Sequence, residues 1–284
     1  MSHNLREIIT HEIKTVVRDS SRENKNGPPL VGFANANHPL FAELKRIVDQ
    51  SHYLPSDILP GARSVVSFFI PFSERVVRSN QKGNFPTNLW AHTKKDTEEL
   101  IDFVITEMGK RLAAQGIRSS GNVGLEPYDE TKYFHRWSQK HVAYLCGLGN
   151  FGLNHLLITE SGCAGRLGSF VIDTETEYDP IVIEEFCPYK VDGSCGICVQ
   201  KCPSNALSFE GLEKATCRNW IIGVTEKYFQ GDRDFRSCGK CITLPCALQR
   251  PKIVDERKTN TSLRQKTFAL FAYSRNSQIR VIRV

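Results

Sequence analysis

Apolar residues recur three or four positions apart in two long segments of the chain, and this spacing predicts two amphipathic helices. The first helix is predicted from Leu5 to Val17. The second runs from about Leu89 to Gln115 and ends at Gly116, because glycine commonly terminates a helix. Shorter helices are predicted from His38 to about Val48 and from Tyr133 to Leu145.

Continuous runs of β-branched and aromatic residues predict strands. The strongest run extends from Ser64 to Ile70 and is apolar enough for a fully buried strand. Shorter strands are predicted at 30–34, 123–125, 156–159 and 167–173, and a polar loop at 20–29. Helices mixed with a few strands, without a regular βα alternation, predict an α+β fold.

The composition is that of an ordinary globular protein, with 40% hydrophobic and 24% charged residues among 284. No run approaches the roughly eighteen apolar residues of a membrane helix, so we do not expect a membrane partner. The N-terminus has no apolar signal core, and ten cysteines without a signal peptide favour metal ligation in a reducing compartment. We therefore expect a cytoplasmic metalloprotein.

The net charge of +6 comes from the C-terminal stretch, where 250–284 holds nine Lys or Arg against two acids, an excess of 9 − 2 = +7. A basic tail can contact nucleic acid, an acidic partner or only water. No aromatic residues are interleaved with it in a binding motif, so we expect a solvated surface and no nucleic-acid partner.

Eight of the ten cysteines lie between positions 187 and 246. The first run, Cys-x2-Cys-x3-Cys-Pro, consists of Cys195, Cys198 and Cys202. The second run, Cys-x2-Cys-x4-Cys, consists of Cys238, Cys241 and Cys246. Cys187 and Cys217 are single residues outside the runs. This spacing is typical of ferredoxins and suits two 4Fe–4S clusters with four thiolates each. The alternative is a zinc site of four thiolates, which leaves four thiols without a role. Cys146 and Cys163, outside the runs, are expected to be small buried thiols.

Three glycines, Gly147, Gly149 and Gly152, fall within six residues. Their spacing formally matches a dinucleotide-binding fingerprint, but it follows a predicted helix rather than a strand. So dense a glycine stretch indicates backbone that either a cofactor or another strand approaches closely.

The stretch from Cys146 to Thr159, with 165–169 after it, resembles the core of the epoxyqueuosine reductases and corrinoid reductive dehalogenases. Those proteins carry Gly-Leu-Gly-x2-Gly-x-Asn-x2-Leu-Ile ahead of two ferredoxin-like cysteine runs, and 60–66 is similar to their first core strand. The resemblance extends over roughly 30–251. It implies a nitroreductase-like cobalamin-binding domain (1–184), a ferredoxin-like two-cluster module (185–250) and a basic C-terminal extension (251–284).

The resemblance also implies two ligand sets. One cluster would use Cys187, Cys195, Cys198 and Cys246, and the other Cys202, Cys217, Cys238 and Cys241. Residues implied to bind the cofactor are Gly147, Leu148, Gly149, Asn150, Phe151, Gly152, Asn154 and Arg166. The chain departs from the family at Asp192, where the first cysteine of the epoxyqueuosine reductase run would stand, and has x4 in the second run instead of x3.

Counting back from Gly147, the catalytic Asp of the epoxyqueuosine reductases falls on Tyr133. The dehalogenases use a tyrosine as proton donor, and a phenol with a pKa near ~10 is protonated at neutral pH. We therefore expect Tyr133 as donor, with His135 and Arg136 orienting the substrate; the alternative is that Tyr133 merely packs a helix onto the core. With the helical-repeat tail also missing, we expect little epoxyqueuosine reductase activity. His155 is expected to be structural.

The resemblance implies a cobalamin-dependent iron–sulfur oxidoreductase. Electrons from a reduced ferredoxin or flavodoxin-type donor would pass through two clusters to a corrinoid that reduces a small molecule. The alternatives are an electron-transfer protein without its own substrate and a reductive activator of another corrinoid protein. About 60 residues suffice for two clusters, so the remaining chain argues against the first alternative. The glycine stretch argues against the second.

Overall fold

The computed structural model describes residues 2–20, 25–123, 128–251, 269–273 and 279–283. The helices are α1 (Ser2–Ser20), α2 (Pro39–Ile47), α3 (Pro55–Ile58), α4 (Glu74–Ser79), α5 (Asn88–Ala113), α6 (Gln139–Leu145), α7 (Pro188–Asp192), α8 (Ile197–Gln200) and α9 (Lys214–Phe229). The strands are β1 (Leu30–Asn35), β2 (Ser64–Pro71), β3 (Gly149–Phe151), β4 (Leu157–Thr159), β5 (Gly165–Ile172), β6 (Ala269–Tyr273) and β7 (Ile279–Arg283). Short 3-10 helices lie at Arg233–Phe235 and Lys240–Ile242.

A three-stranded antiparallel sheet forms the centre of the fold, in the order β1-β2-β5. All eight residues of β2 are buried, as its continuous apolar run predicts. Successive side chains point to opposite faces. Val65 and Phe69 pack against the core formed with α2 and α6, whereas Val66 and Phe68 pack against α1 and α5. Two helical layers therefore enclose the sheet, and the expected mixture of helices and strands is confirmed.

The predicted long helices are confirmed as α1 and α5, and both ends of α5 have a local cause. Thr87 caps α5 by accepting a hydrogen bond from the Trp90 amide at 3.2 Å. Gly116, just beyond the last turn, has a φ of 74°, which glycine adopts without a steric penalty. The predicted helix at His38 is α2, where the His38 imidazole accepts from the Leu40 amide at 3.3 Å.

The prediction of one helix from Tyr133 to Leu145 is wrong in its first half, because α6 begins only at Gln139. The Asp129 carboxylate accepts hydrogen bonds from the amides of Thr131 and Lys132, both at 2.9 Å, and these bonds hold the segment in a turn. The predicted strand at 123–125 is also not observed: Val123 lies outside every described strand, and Leu125 lies outside the described residues. The predicted strands at 156–159 and 167–173 correspond to β4 and β5.

The cysteine-rich region, residues 185–250, packs directly on the sheet domain. Phe72 and Trp90 of the domain share a hydrophobic cluster with Phe186 and Ile242 of this region. Backbone bonds join the two as well, from the Cys163 amide to the Cys246 carbonyl at 2.9 Å and from Ala164 to Ala247 at 3.0 Å.

Of the basic C-terminal extension, the structure describes Pro251 and the backbone of β6 and β7, which pair antiparallel. The other positions of the extension, including most of its charges, lie outside the described residues. Among the described helices, none combines the length and apolarity needed to cross a bilayer.

Candidate functional site

Cys187, Cys195, Cys198 and Cys246 line one small cavity. The pKa of Cys198 is raised to about 12, mainly by burial and also by the three neighbouring thiols. The Leu153 amide donates a hydrogen bond to the Cys187 sulfur at 3.4 Å. Cys198 and its three neighbours are the residues implied for the first cluster, although their role as ligands stays a prediction.

The other four cysteines gather beside this group. Burial raises the pKa of Cys217 to about 11, with added effects from Cys238 and Cys202. Burial also raises the pKa of Cys241, which experiences the thiols of Cys238, Cys217, Cys202 and Cys198. Because Cys198 belongs to the first group, the two groups are adjacent. The Leu207 amide donates to the Cys202 sulfur at 3.4 Å.

All ten cysteines are free thiols. Within the described part of the chain, no three His, Cys, Asp or Glu side chains converge around a single metal ion. Cys146 and Cys163 are buried, as expected, and Cys146 donates to the Val65 carbonyl at 3.6 Å. The Cys163 sulfur, however, lies only 3.7 Å from that of Cys246, so this thiol directly borders the first group.

A cleft with a volume of about 430 Å³ lies where α6 and β3 face α7 and α9. Its walls carry aromatic side chains, three lysines and His155. Tyr133 lines the cleft and is half-buried, whereas Phe134 and Trp137 are buried. The Trp137 indole donates to the Ser169 hydroxyl at 2.8 Å. All three residues line the cleft, but Phe134 and Trp137 are buried, whereas the half-buried Tyr133 is more accessible to a ligand.

The two other predicted catalytic residues, His135 and Arg136, lie in different places. His135 lines the cleft and packs edge-on against Tyr128 with ring centroids 4.9 Å apart. Arg136 is not among the described cleft-lining residues. Its guanidinium lies over the Tyr53 ring, 5.7 Å from the centroid, and donates to the Tyr53 hydroxyl at 3.2 Å. The structure brings Tyr133 and His135 together, but not Arg136.

The turn that carries Tyr133 is tied to the cysteine region by Glu130. Its carboxylate accepts from Arg218 at 2.6 Å and from Arg236 at 3.0 Å. The hydrogen bond from Arg218 is the largest cause that lowers the pKa of Glu130. Arg218 directly follows Cys217 in the chain, so the turn is held in place by residues next to the second thiol group.

Lysines are the charged residues that the sequence analysis missed. The Lys140 ammonium donates to the His155 carbonyl at 2.8 Å, and Lys190 donates to the Phe151 carbonyl. Burial lowers the pKa of Lys140 to about 8 and lowers the pKa values of Lys190 and Lys214. Single lysines follow no spacing rule, so no sequence signal was available to identify them.

His155 is neutral at physiological pH, since its pKa is lowered to about 4. Burial is the main cause, and the positive charges of Lys140, Lys190 and Lys214 add to it. Its backbone has a φ of 59°, and its side chain lines the cleft rather than the core.

The glycine stretch is explained by strand packing. A Cβ at Gly149 would lie 2.0 Å from the Ile158 carbonyl oxygen across the β3–β4 pair. A Cβ at Gly147 would lie 2.6 Å from the Pro180 oxygen. The glycines therefore permit close approach by the protein's own backbone, which is one of the two alternatives left open by the sequence.

Of the eight residues implied to bind the cofactor, Phe151 and Gly152 line the same cleft as Tyr133. Leu148 lies in the core, Asn150 donates to the Glu184 carbonyl at 3.0 Å, and Asn154 donates to the Cys241 carbonyl at 3.1 Å. Arg166 lines a second, more polar cleft of about 570 Å³ and pairs with Glu98 at 3.4 Å. Cofactor binding by these residues stays a prediction.

No family model and no curated protein matches the sequence. Similar solved structures are found among the epoxyqueuosine reductases and reductive dehalogenases. The epoxyqueuosine reductase of Streptococcus thermophilus has a TM-score of 0.51 and 17% identity, covering 87% of this chain and 69% of its own. An epoxyqueuosine reductase with a tRNA-Tyr stem loop has a TM-score of 0.55 and 16% identity, covering 89% and 68%.

A reductive dehalogenase described for B12-dependent dehalogenation has a TM-score of 0.51 and 17% identity, covering 81% of this chain and 31% of its own. At these identities the likeness establishes the fold alone. The chain therefore has the fold shared by these two groups of reductases, as the sequence resemblance implies. Because one of the similar structures contains a tRNA stem loop, the expectation against a nucleic-acid partner is not supported.

Proposed function

We propose that the chain is a cobalamin-dependent iron–sulfur reductase. Electrons from a reduced ferredoxin or flavodoxin-type donor enter through two 4Fe–4S clusters and reach a corrinoid that reduces a substrate in the cleft. The observation that carries this proposal is the position of two groups of four thiols beside a cleft lined by Tyr133.

The chemistry of the donor set suits iron–sulfur clusters. Backbone amides donate to the sulfurs of Cys187 and Cys202, and hydrogen bonds of this kind tune the reduction potential of a cluster. The two groups interleave along the chain, as they do in two-cluster ferredoxins. Their adjacency supports electron transfer between two centres.

The cleft lined by Tyr133, with a volume of about 430 Å³, could hold only part of a cofactor as large as a corrinoid, so the rest of the cofactor would extend outside it. Tyr133, Phe151, Gly152 and His155 would face the part inside the cleft. A bound corrinoid would supply a low-valent cobalt centre able to reduce the substrate. Tyr133 would hold the proton that the reduction consumes, and His135 would orient the substrate. Arg136 would act only by positioning the loop through Tyr53.

Metal and cofactor analysis tests the proposal. After anaerobic reconstitution with iron, sulfide and cobalamin, we expect about eight iron, eight sulfide and one cobalt per chain. A corrinoid absorption band should appear above the broad absorbance of the clusters. Stoichiometric zinc with little iron would contradict the cluster assignment. Full iron without any cobalt would leave the electron-transfer alternative instead.

A further inference from the structure

Cys163 is a buried thiol that belongs to neither predicted ligand set. It is 4% exposed, and its sulfur lies 3.7 Å from that of Cys246. Cys246 belongs to the first predicted ligand set, which already has four thiolates, the number that a 4Fe–4S cluster uses. Cys163 therefore touches a predicted ligand sulfur from outside the ligand set.

Backbone hydrogen bonds hold the segments of the two sulfurs together. The Cys163 amide donates to the Cys246 carbonyl at 2.9 Å, and the Ala164 amide donates to the Ala247 carbonyl at 3.0 Å. Gly162 lies so close to the second segment that a Cβ there would collide with the Ala247 carbonyl. A side chain at this position would push the segments apart, so the glycine preserves the contact between the two sulfurs.

Asn154 determines how the Cys163 thiol is hydrogen-bonded. Its side-chain oxygen accepts from the Leu156 amide at 3.2 Å, which orients the side-chain nitrogen. That nitrogen donates to the Cys163 sulfur at 3.8 Å and to the Cys241 carbonyl at 3.1 Å. Because the Cys163 sulfur accepts from Asn154, its own proton is available for another acceptor.

The chemistry of a cluster ligand decides which of the two sulfurs donates. A thiolate that binds iron has no proton and can only accept hydrogen bonds. A buried thiol outside the ligand set keeps its proton, because burial disfavours the charged form. With a cluster in the first set, Cys163 is therefore the donor and Cys246 the acceptor. Reduction adds one negative charge to the cluster, so a hydrogen bond to a ligand sulfur stabilises the reduced form.

We propose that the Cys163 thiol donates a hydrogen bond to the Cys246 sulfur and raises the reduction potential of the first cluster. Cys163 is a positioning residue in this role, since it acts through Cys246. The inference rests on the proposed function, because it requires the first cluster. Gly152, Leu153 and Tyr189 line both the cavity of the first thiol group and the cleft, so the cluster that Cys163 affects borders the cleft.

Redox titration of the reconstituted full chain, followed by electron paramagnetic resonance of the reduced clusters, tests the proposal. Cys163→Ala removes the donor, and Cys163→Ser keeps a hydroxyl donor at the same position. Cys146→Ala is the matched control, because Cys146 is also a buried free thiol but donates to the Val65 carbonyl. Cys198→Ser, which is expected to lose the first cluster, identifies the potential that belongs to it.

We expect Cys163→Ala to keep about eight iron per chain. The equilibrium constant for one-electron reduction of its first cluster should fall by about tenfold, a shift of about 59 mV to a more negative potential. Cys163→Ser should lie closer to the wild type than Cys163→Ala, because the hydroxyl replaces the donor. A role in packing alone would not distinguish the two variants in this way. Cys146→Ala should leave both potentials unchanged.

The proposal is overturned if Cys163→Ala shifts the first potential no more than Cys146→Ala does. It is also overturned if Cys163→Ser shifts this potential as far as Cys163→Ala. Loss of the first cluster from Cys163→Ala would overturn it too, because a residue that only tunes the potential is not needed to hold the iron. The proposed function stands in all three cases. Wild-type protein that binds zinc or no metal in place of iron overturns the proposed function, and this role of Cys163 with it.

Discussion

The sheet domain and the cysteine-rich region differ in how much buried apolar packing stabilises them. In the domain, all eight residues of β2 are buried between two helical layers. In the cysteine-rich region, the sixteen-residue α9 buries only Val224 and Thr225, and α7 and α8 have five and four residues. Helices this short are marginal without tertiary support. Apolar packing accounts for the first region, whereas we expect the second to depend also on the clusters proposed for its thiols.

The largest effect should follow from removing one thiol of the cysteine-rich region. Cys198→Ser should lose a whole cluster, so iron falls from about eight to about four per chain. Amide exchange should accelerate between 187 and 246 while β2 stays protected. Cys163→Ser is the matched control, because its sulfur lies 3.7 Å from that of Cys246 without belonging to either predicted ligand set. Equal iron loss in both variants would contradict the assigned ligands.

Next in size is the effect of Tyr133 on turnover. Tyr133→Phe should slow reduction by the corrinoid-loaded enzyme by roughly 10²–10⁴-fold, the usual contribution of one positioned acid. Iron and cobalt content should not change, because the phenol hydroxyl holds neither. Tyr228→Phe is the control, because Tyr228 is 46% exposed and is not among the described residues that line the cleft. Normal turnover in Tyr133→Phe would contradict the proton-donor role and leave Tyr133 as a packing residue.

Truncating a core side chain of the sheet domain should lower the stability of that domain. Phe68 is 0% exposed within β2, so Phe68→Ala should lower the free energy of unfolding by about 3–5 kcal/mol. Chemical denaturation measures this loss, and iron content in the folded protein should stay normal. Phe103, on α5, is 48% exposed, so Phe103→Ala should change stability by only about 0.5 kcal/mol. Similar losses in both variants would contradict the described core.

A pH titration tests the cleft between the two regions. Burial lowers the pKa of Lys140 to about 8, so its charge disappears as the pH rises through that value. In the unfolded chain Lys140 keeps its proton up to its ordinary value of 10.5, so its contribution to the free energy of unfolding rises between about pH 8 and 10.5. Chemical denaturation of wild type and Lys140→Gln over this pH range measures the rise. The same pH dependence in both proteins would contradict the lowered pKa of Lys140.

The smallest effect should come from Glu130, the link between the two regions. Its side chain is 44% exposed, so pairing with Arg218 and Arg236 contributes on the order of 1 kcal/mol or less. Glu130→Gln should reduce turnover by less than tenfold. High salt should bring wild type toward the variant, because salt screens exposed pairs. A salt-independent loss would indicate that Glu130 acts otherwise than as an ion pair.

The parts of the fold that follow a repeating pattern were predictable. β2, α1 and α5 each bury a continuous or periodic apolar set, and their positions follow from the sequence. The turn that carries Tyr133, ahead of the start of α6, was not predictable from periodicity. The Asp129 carboxylate accepts hydrogen bonds from the amides of Thr131 and Lys132 and holds the segment in a turn. Local side-chain hydrogen bonds of this kind override an apolar pattern.

The candidate site divides in the same way. Cysteine spacing predicted eight thiols in two runs, and the family resemblance implied which four belong to each group. The lysines of the cleft come from α6, α7 and α9, and only tertiary structure brings them together. The glycine stretch left two alternatives open for a related reason: the backbone that approaches Gly149 belongs to Ile158, nine positions further along.

The backbone of Tyr133 has a consequence for protein engineering. Its φ of 57° lies in the left-handed region, where a bulky residue costs on the order of 1 kcal/mol and asparagine, aspartate or glycine cost less. A screen for thermal stability alone would therefore favour replacing Tyr133, for example by asparagine. Such a screen would enrich stabilised chains that have lost the phenol, so selection for heat resistance and selection for turnover should diverge at this one position.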